Sequence, residues 1–138
     1  MGLFLKPFET GGVLPYDNGA SVSQIRDQLR AFAIGFPGAY EDFPWGERVV
    51  KVNKKVFVFL GMDDESSGSG ISVKLRESQE WALSLPGITP TGYGLGRAGW
   101  VSIDLQGDES PPPDLLTDWI EESYRLIAPK RLVAQLDA

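Results

Sequence analysis

The stretch from Arg48 to Leu60, RVVKVNKKVFVFL, decides the fold. β-Branched and aromatic residues dominate both halves, so Arg48 to Asn53 and Lys55 to Leu60 read as the two strands of a tight hairpin. Asn53 tolerates the positive φ that such a turn requires. The register of this hairpin sets the chemistry of the sheet. A two-residue turn at Asn53-Lys54 puts Phe57 and Phe59 on one face with Val50 and Val52, in the core. A three-residue turn puts both rings beside Lys51 on the other face, because a one-residue slip exchanges the faces of a strand. The two-residue reading, with both phenylalanines in the core, is favoured.

Towards the C-terminus, Gly61 to Gly70 is polar and acidic, and Ile71 to Leu75 alternates as a half-buried strand. Ser78 to Leu85 reads as a short helix stopped by Pro86-Gly87. Ile88 to Gly99 reads as a glycine-rich loop. Trp100 to Leu105 alternates again, with Val101, Ile103 and Leu105 on one face and Trp100, Ser102 and Asp104 on the other. After a loop ending in three prolines, a last helix runs from about Asp114 to Ala128. Asp114 and Asp118 suit its positive end, and Leu116, Trp119, Ile120, Ser123 and Ile127 form its packing face. Pro129 interrupts it, and Lys130 to Leu136 forms a turn or two more.

Towards the N-terminus, Phe36 to Glu47 reads as a loop containing Phe43-Pro44-Trp45-Gly46. A helix precedes it. Ser21-x-x-Gln24 is a capping-box pattern, Ile25, Leu29, Phe32 and Phe36 recur at helical spacing, and Gly35 is the expected stop in a left-handed conformation. Residues 1–20 hold scattered apolar residues without a period and read as an irregular lead-in. The expectation is an α+β fold: one domain, residues 21–138, with a mostly antiparallel sheet of about four strands covered on one face by helices.

Composition narrows the function classes. The chain has 138 residues, no cysteine and no histidine. Disulfides, thiolate metal sites and a Ser-His-Asp triad are therefore excluded, and the commonest general base and metal ligand are missing. No set of residues with a proton-transfer role emerges, so the chain reads as a binding module and not an enzyme, with no cofactor and no metal site. Absence of cysteine fits a reducing, cytoplasmic location. No apolar run approaches the ~20 residues of a membrane span, and the start lacks the pattern of a signal peptide. The formal charge is -6, distributed as +1 over residues 1–60, -2 over 61–100 and -5 over 101–138. A basic surface is thus expected only from the first part of the chain.

Pro44-Trp45-Gly46, Val50-Lys51-Val52, Lys55-Val56-Phe57 and Val73-Lys74-Leu75 appear in order, followed by Leu85-Pro86-Gly87-Ile88, Trp100-Val101-Ser102-Ile103 and Glu122-Ser123-Tyr124. In order and spacing the set resembles the YjbR/MmcQ family over roughly residues 21–128. Asn53-Lys54 departs from the Gly-Gly-like turn of that family, and residues 1–20 lie outside the match. The resemblance implies a frataxin-like, double-wing fold and a DNA-binding role assigned to family members on grounds of fold, although fold alone does not fix function.

Two binding surfaces follow. Lys51, Lys54, Lys55, Lys74, Arg76 and Arg97 are the basic groups nearest the strands and wings, and grouped together they would neutralise phosphates. Trp100, opposite the apolar face of its strand, would then stack a base. Against this stands a solvated lysine face with Trp100 sealed. The alternative is a protein-interaction or small-ligand module without nucleic-acid affinity, centred on Trp45 and Trp100. Trp45 itself reads as a lip against a ligand or as a plug over the sheet edge, and the plug is favoured. Partners thus divide between DNA and a protein, with no membrane; monomer and dimer both remain open.

Other patterns carry less. Gly94-x-Gly96-x-x-Gly99 matches the dinucleotide fingerprint only as text, because it precedes a strand instead of joining a strand to a helix. Asp63-Asp64-Glu65 lacks the spacing of a calcium loop. The acids of the last helix do not occupy the elements that bear the iron-attracting ridge of frataxins. Ser123 and Tyr124 read as a polar pair facing a pocket or, more ordinarily, as anchors of helix to sheet.

Overall fold

The computed structural model describes residues 21–62, 70–106 and 110–138, save the side chains of Trp45 and Met62. The lead-in at 1–20 and the acidic triplet at 63–65 lie outside the described residues. The elements run in the order α1 (Val22–Ile34), β1 (Ala39–Asp42), β2 (Glu47–Val52), β3 (Lys55–Met62), β4 (Gly70–Lys74), α2 (Gln79–Leu83), β5 (Ile88–Pro90), β6 (Trp100–Asp104), α3 (Pro113–Ile127) and α4 (Lys130–Leu136). Short 3-10 turns lie at Pro44–Gly46 and Leu95–Ala98.

The strands form one antiparallel sheet in the order β1-β2-β3-β4-β6-β5. It has six strands where the sequence suggested about four. The two additions, β1 and β5, come from stretches that read as loops. β1 is the polar AYED, and β5 is a three-residue strand ending in proline. Both are edge strands, where short length, charge and proline are tolerated because one side needs no partner. Their pairing to β2 and β6 makes them strands, and no local pattern announces it.

Helix α1 begins as its sequence demands. The Ser21 hydroxyl accepts from the Gln24 amide and the Gln24 side chain accepts from the Ser21 amide, at 3.1 and 2.8 Å. Its end differs from expectation. Gly35 caps it in right-handed conformation at φ −72°, and the left-handed residue is Gly38 at +72°. The buried face is also rotated: Arg26, Leu29 and Ala33 face inward, while Phe32 is exposed.

One face of the sheet packs under α1 and α3. Val50, Val52, Phe57, Val58, Leu60, Ile71, Val73, Val101 and Ile103 meet Leu29, Ala33, Leu116, Trp119, Ile120 and Tyr124 there. The hairpin turn has two residues, as read, with Asn53 at φ 52° and Lys54 at 69°. The register beyond it slips twice: Lys51 pairs with Val56 but Val50 with Val58, and Val49 with Phe59 but Arg48 with Gly61. At each bulge two residues of β3 oppose one of β2. Phe57 and Val58 therefore both enter the core, and Phe59 moves to the opposite face beside Trp100. The expectation that both phenylalanines share the core fails at Phe59 for this reason, since strict alternation does not survive a bulge.

Candidate nucleic-acid interface

The pairing gathers all six sequence-selected cations at one end of the sheet. Lys51 lies next to the β2–β3 turn, Lys54 is in it and Lys55 follows it. Val58 pairs with Val73, so antiparallel β4 delivers Lys74 and then Arg76 towards that same turn. Lys74 pairs with Trp100, which places Arg97, just before β6, at that end too. At the other end, Glu47 pairs with Met62 and Asp104 with Gly70. Helix α4 adds two cations that the sequence reading missed. Leu132 and Val52 both border the space over Gly38, so the exposed Lys130 and Arg131 open their helix close to the end of β2. A basic pair after a helix-breaking proline was the available signal, but only packing assigns it to this end.

The eight cations are not equivalent. Lys51 is held by Asp42 at 2.7 Å on the face away from the helices. The hydrogen bond from Lys51, helped by the Phe43 amide, keeps the Asp42 carboxyl below the usual carboxylate range, and the same bond raises Lys51. Arg76 borders a cavity of about 390 Å³ that it shares with Glu77, Asp118, Glu121, Glu122, Arg125 and Leu126. Its surroundings are therefore acidic. Lys54, Lys55 and Arg97 are exposed, Lys74 is half-buried on the sheet face away from the helices, and among the described residues none of the four has an ion-pair partner.

Trp100 is present on the expected face but is only 8% exposed, its ring edge-on to Phe59 with centroids 5.2 Å apart. It offers no open surface for stacking. Around it the polar side chains satisfy one another: the Ser102 hydroxyl lies 2.9 Å from both the Ser72 and Thr91 hydroxyls. The side chain of Trp45 lies outside the described residues; its backbone forms the 3-10 turn at Pro44–Gly46.

The Glu122-Ser123-Tyr124 stretch of α3 is consumed by the fold. Buried Ser123 donates to the Phe57 carbonyl at 2.5 Å and accepts from the Lys74 amide at 3.0 Å, fastening α3 across β3 and β4. The Tyr124 hydroxyl donates to the Pro37 carbonyl at 2.6 Å, while its ring stacks on Phe36. Burial raises the pKa of that phenol. Glu122 accepts from the amides of Arg76, Glu77 and Ser78 and from the Ser78 hydroxyl. Burial pushes its carboxyl up, but these donors outweigh burial and hold it below the ordinary glutamate range. Such a carboxylate caps the segment leading into α2.

The glycine-rich loop is built, not slack. Amides of Leu95, Gly96, Arg97 and Gly99 donate to the carbonyls of Gly92, Thr91, Gly94 and Gly96, the Leu75 amide donates to the Gly99 carbonyl, and the Gln79 side chain donates to the Gly96 carbonyl. At Gly99, φ is 103° and a Cβ would collide with the Leu75 carbonyl; at Gly96 it would meet Pro90 Cβ at 2.9 Å. Of the glycines that mimic a dinucleotide fingerprint, Gly96 and Gly99 thus serve close approach of this loop to its neighbours, and Gly94 supplies a positive φ of 81°.

Among the described residues no group of three or more Asp or Glu is placed to hold a metal ion, and no helix is long and apolar enough to cross a membrane. No curated protein matches the chain. The model of the YjbR family matches residues 34–126, a span that starts at the end of α1, takes in the whole sheet and stops within α3. With two thirds of its length inside that match and the sheet and helix α3 assembled from the matched residues, the chain belongs to the YjbR family.

Proposed function

We propose that this domain is a non-catalytic nucleic-acid-binding module that uses the basic end of its sheet. The observation that carries the reading is the register, which lines up Lys54, Lys55, Lys74 and Arg97 with no ion-pair partner among the described residues. Lys130 and Arg131 widen the same end. Family membership adds to it, because the resemblance implies DNA binding.

The overall charge of -6 argues for weak binding. Phosphates would be attracted to one end and repelled elsewhere, so affinity depends on a few contacts and falls with salt. Four contacts correspond to a slope of log K against log salt of about −3 to −4. The test is fluorescence anisotropy with labelled single-stranded and duplex DNA at low and near-physiological salt. The reading expects micromolar binding at low salt that collapses as salt rises and is lost when Lys54, Lys55 and Lys74 are changed together to Glu. No binding at low salt contradicts it.

A second reading is a small-ligand or protein-binding module without nucleic-acid affinity. The cavity between α3 and the segment joining β4 to α2 favours it. This is a different place from the Trp45 and Trp100 surface suggested by the sequence. Its acidic lining suits a cationic ligand, and it becomes the leading reading if DNA fails to bind.

A further inference from the structure

Tyr93 stands out among the exposed aromatic residues. Its side chain is fully exposed and its backbone sits at φ 58°, in a region that non-glycine residues occupy at a cost. It belongs to the loop between β5 and β6 whose hydrogen bonds are set out above. That loop leaves the sheet at the basic end, because the Thr91 amide donates to the Trp100 carbonyl and Trp100 pairs with Lys74. Arg97, also exposed, follows four residues later on the same loop.

A large aromatic ring held wholly in water on a hydrogen-bonded loop, in an unfavourable backbone region, contributes little to the fold. Burial of Trp100 has removed the other aromatic candidate at this end of β6. We infer that Tyr93 stacks on an unpaired base, with Arg97, Lys74, Lys54 and Lys55 taking the phosphates of the same strand, so that the preferred ligand is single-stranded nucleic acid. The inference rests on the nucleic-acid reading above and deepens it. Charge complementarity selects the occupant: an exposed ring at the same end of the sheet as cations with no ion-pair partner among the described residues suits a polyanion with exposed π-faces, and bases inside a duplex offer none. The distance also suits a strand. With strands about 4.8 Å apart, the β2–β3 turn and the β5–β6 loop lie three spacings, roughly 14 Å, apart along that end of the sheet.

The test compares wild type, Tyr93→Ala and Tyr93→Phe by anisotropy at low salt, using a labelled 20-nucleotide single strand of mixed sequence and its duplex. Thermal melts accompany each variant. Loss of one base–aromatic contact predicts at least a fivefold weaker single-strand affinity for Tyr93→Ala. Tyr93→Phe is expected to stay within twofold of wild type, and duplex binding to be unchanged by either. Equal weakening on strand and duplex, or no weakening on the strand, overturns the stacking role while salt-sensitive binding still upholds the nucleic-acid reading. Absence of any binding by wild type removes both.

Discussion

Helix α3 and the loop from Thr91 to Gly99 both carry residues that look functional, and they use them in opposite ways. In α3 the polar groups of Glu122, Ser123 and Tyr124 all meet partners within the protein. In the loop the backbone is fastened internally, and what remains outside is Tyr93 and Arg97. Polar residues with internal partners explain why the fold holds. Costly scaffolding that presents unsatisfied side chains is where a partner is expected.

The contrast makes predictions of graded size. The largest effect belongs to Ser123→Ala, which removes the donor to the Phe57 carbonyl and strands the Lys74 amide. A loss of about 2–3 kcal/mol in unfolding free energy is expected, measured by urea denaturation. A loss under about 0.5 kcal/mol would place the anchoring of α3 elsewhere.

Glu122→Gln comes next, at about 1–2 kcal/mol near neutral pH, because a neutral amide is a poorer acceptor for four donors. The sign of the pH dependence follows from the lowered folded-state pKa. Glu122 contributes its stability in full above the unfolded glutamate pKa and loses it as pH falls through the lower folded value. The acid limb of the stability curve should therefore be shallower in the variant. An unchanged limb would mean that the Ser78 hydroxyl and the three amides do not set this carboxyl's pKa.

Lys54→Gly is expected to change stability in the other direction. Lys54 holds φ 69° in a two-residue turn that favours glycine at its second position, so the variant should gain about 1 kcal/mol in thermal or urea unfolding. It also removes one of the four cations that have no ion-pair partner among the described residues, so DNA affinity should fall and the salt slope should lose somewhat under one unit. A more stable protein that binds less well would separate the two uses of this residue. The smallest effect on folding is expected at Tyr93→Ala, within about 0.5 kcal/mol of wild type, since its side chain touches nothing that the fold needs.

Much of the fold was legible in the sequence because it is written in local patterns. The Ser21–Gln24 capping box, the Asn53-Lys54 turn, the alternation at Ile71–Leu75 and Trp100–Leu105, and the Leu116–Trp119–Ile120–Ser123 face each carry their own signal. What escaped depends on neighbours. The edge strands β1 and β5 exist through pairing. Phe59 changes face through two bulges that no composition reveals. For the candidate site, the choice of cations was legible but their standing was not. Lys51 is tied to Asp42 and Arg76 borders an acidic cavity because of tertiary packing, and Lys130 and Arg131 join the basic end only once Leu132 of α4 comes over Gly38.

The most direct test is an amide chemical-shift titration of the 138-residue protein with a single-stranded oligonucleotide at low salt. Perturbations are expected to cluster at residues 51–56, 74–76 and 91–100, with little change at Glu47, Asp104 or the first turn of α3. Shifts confined to the cavity between Arg76 and Arg125, or spread without relation to the basic end, would contradict binding there.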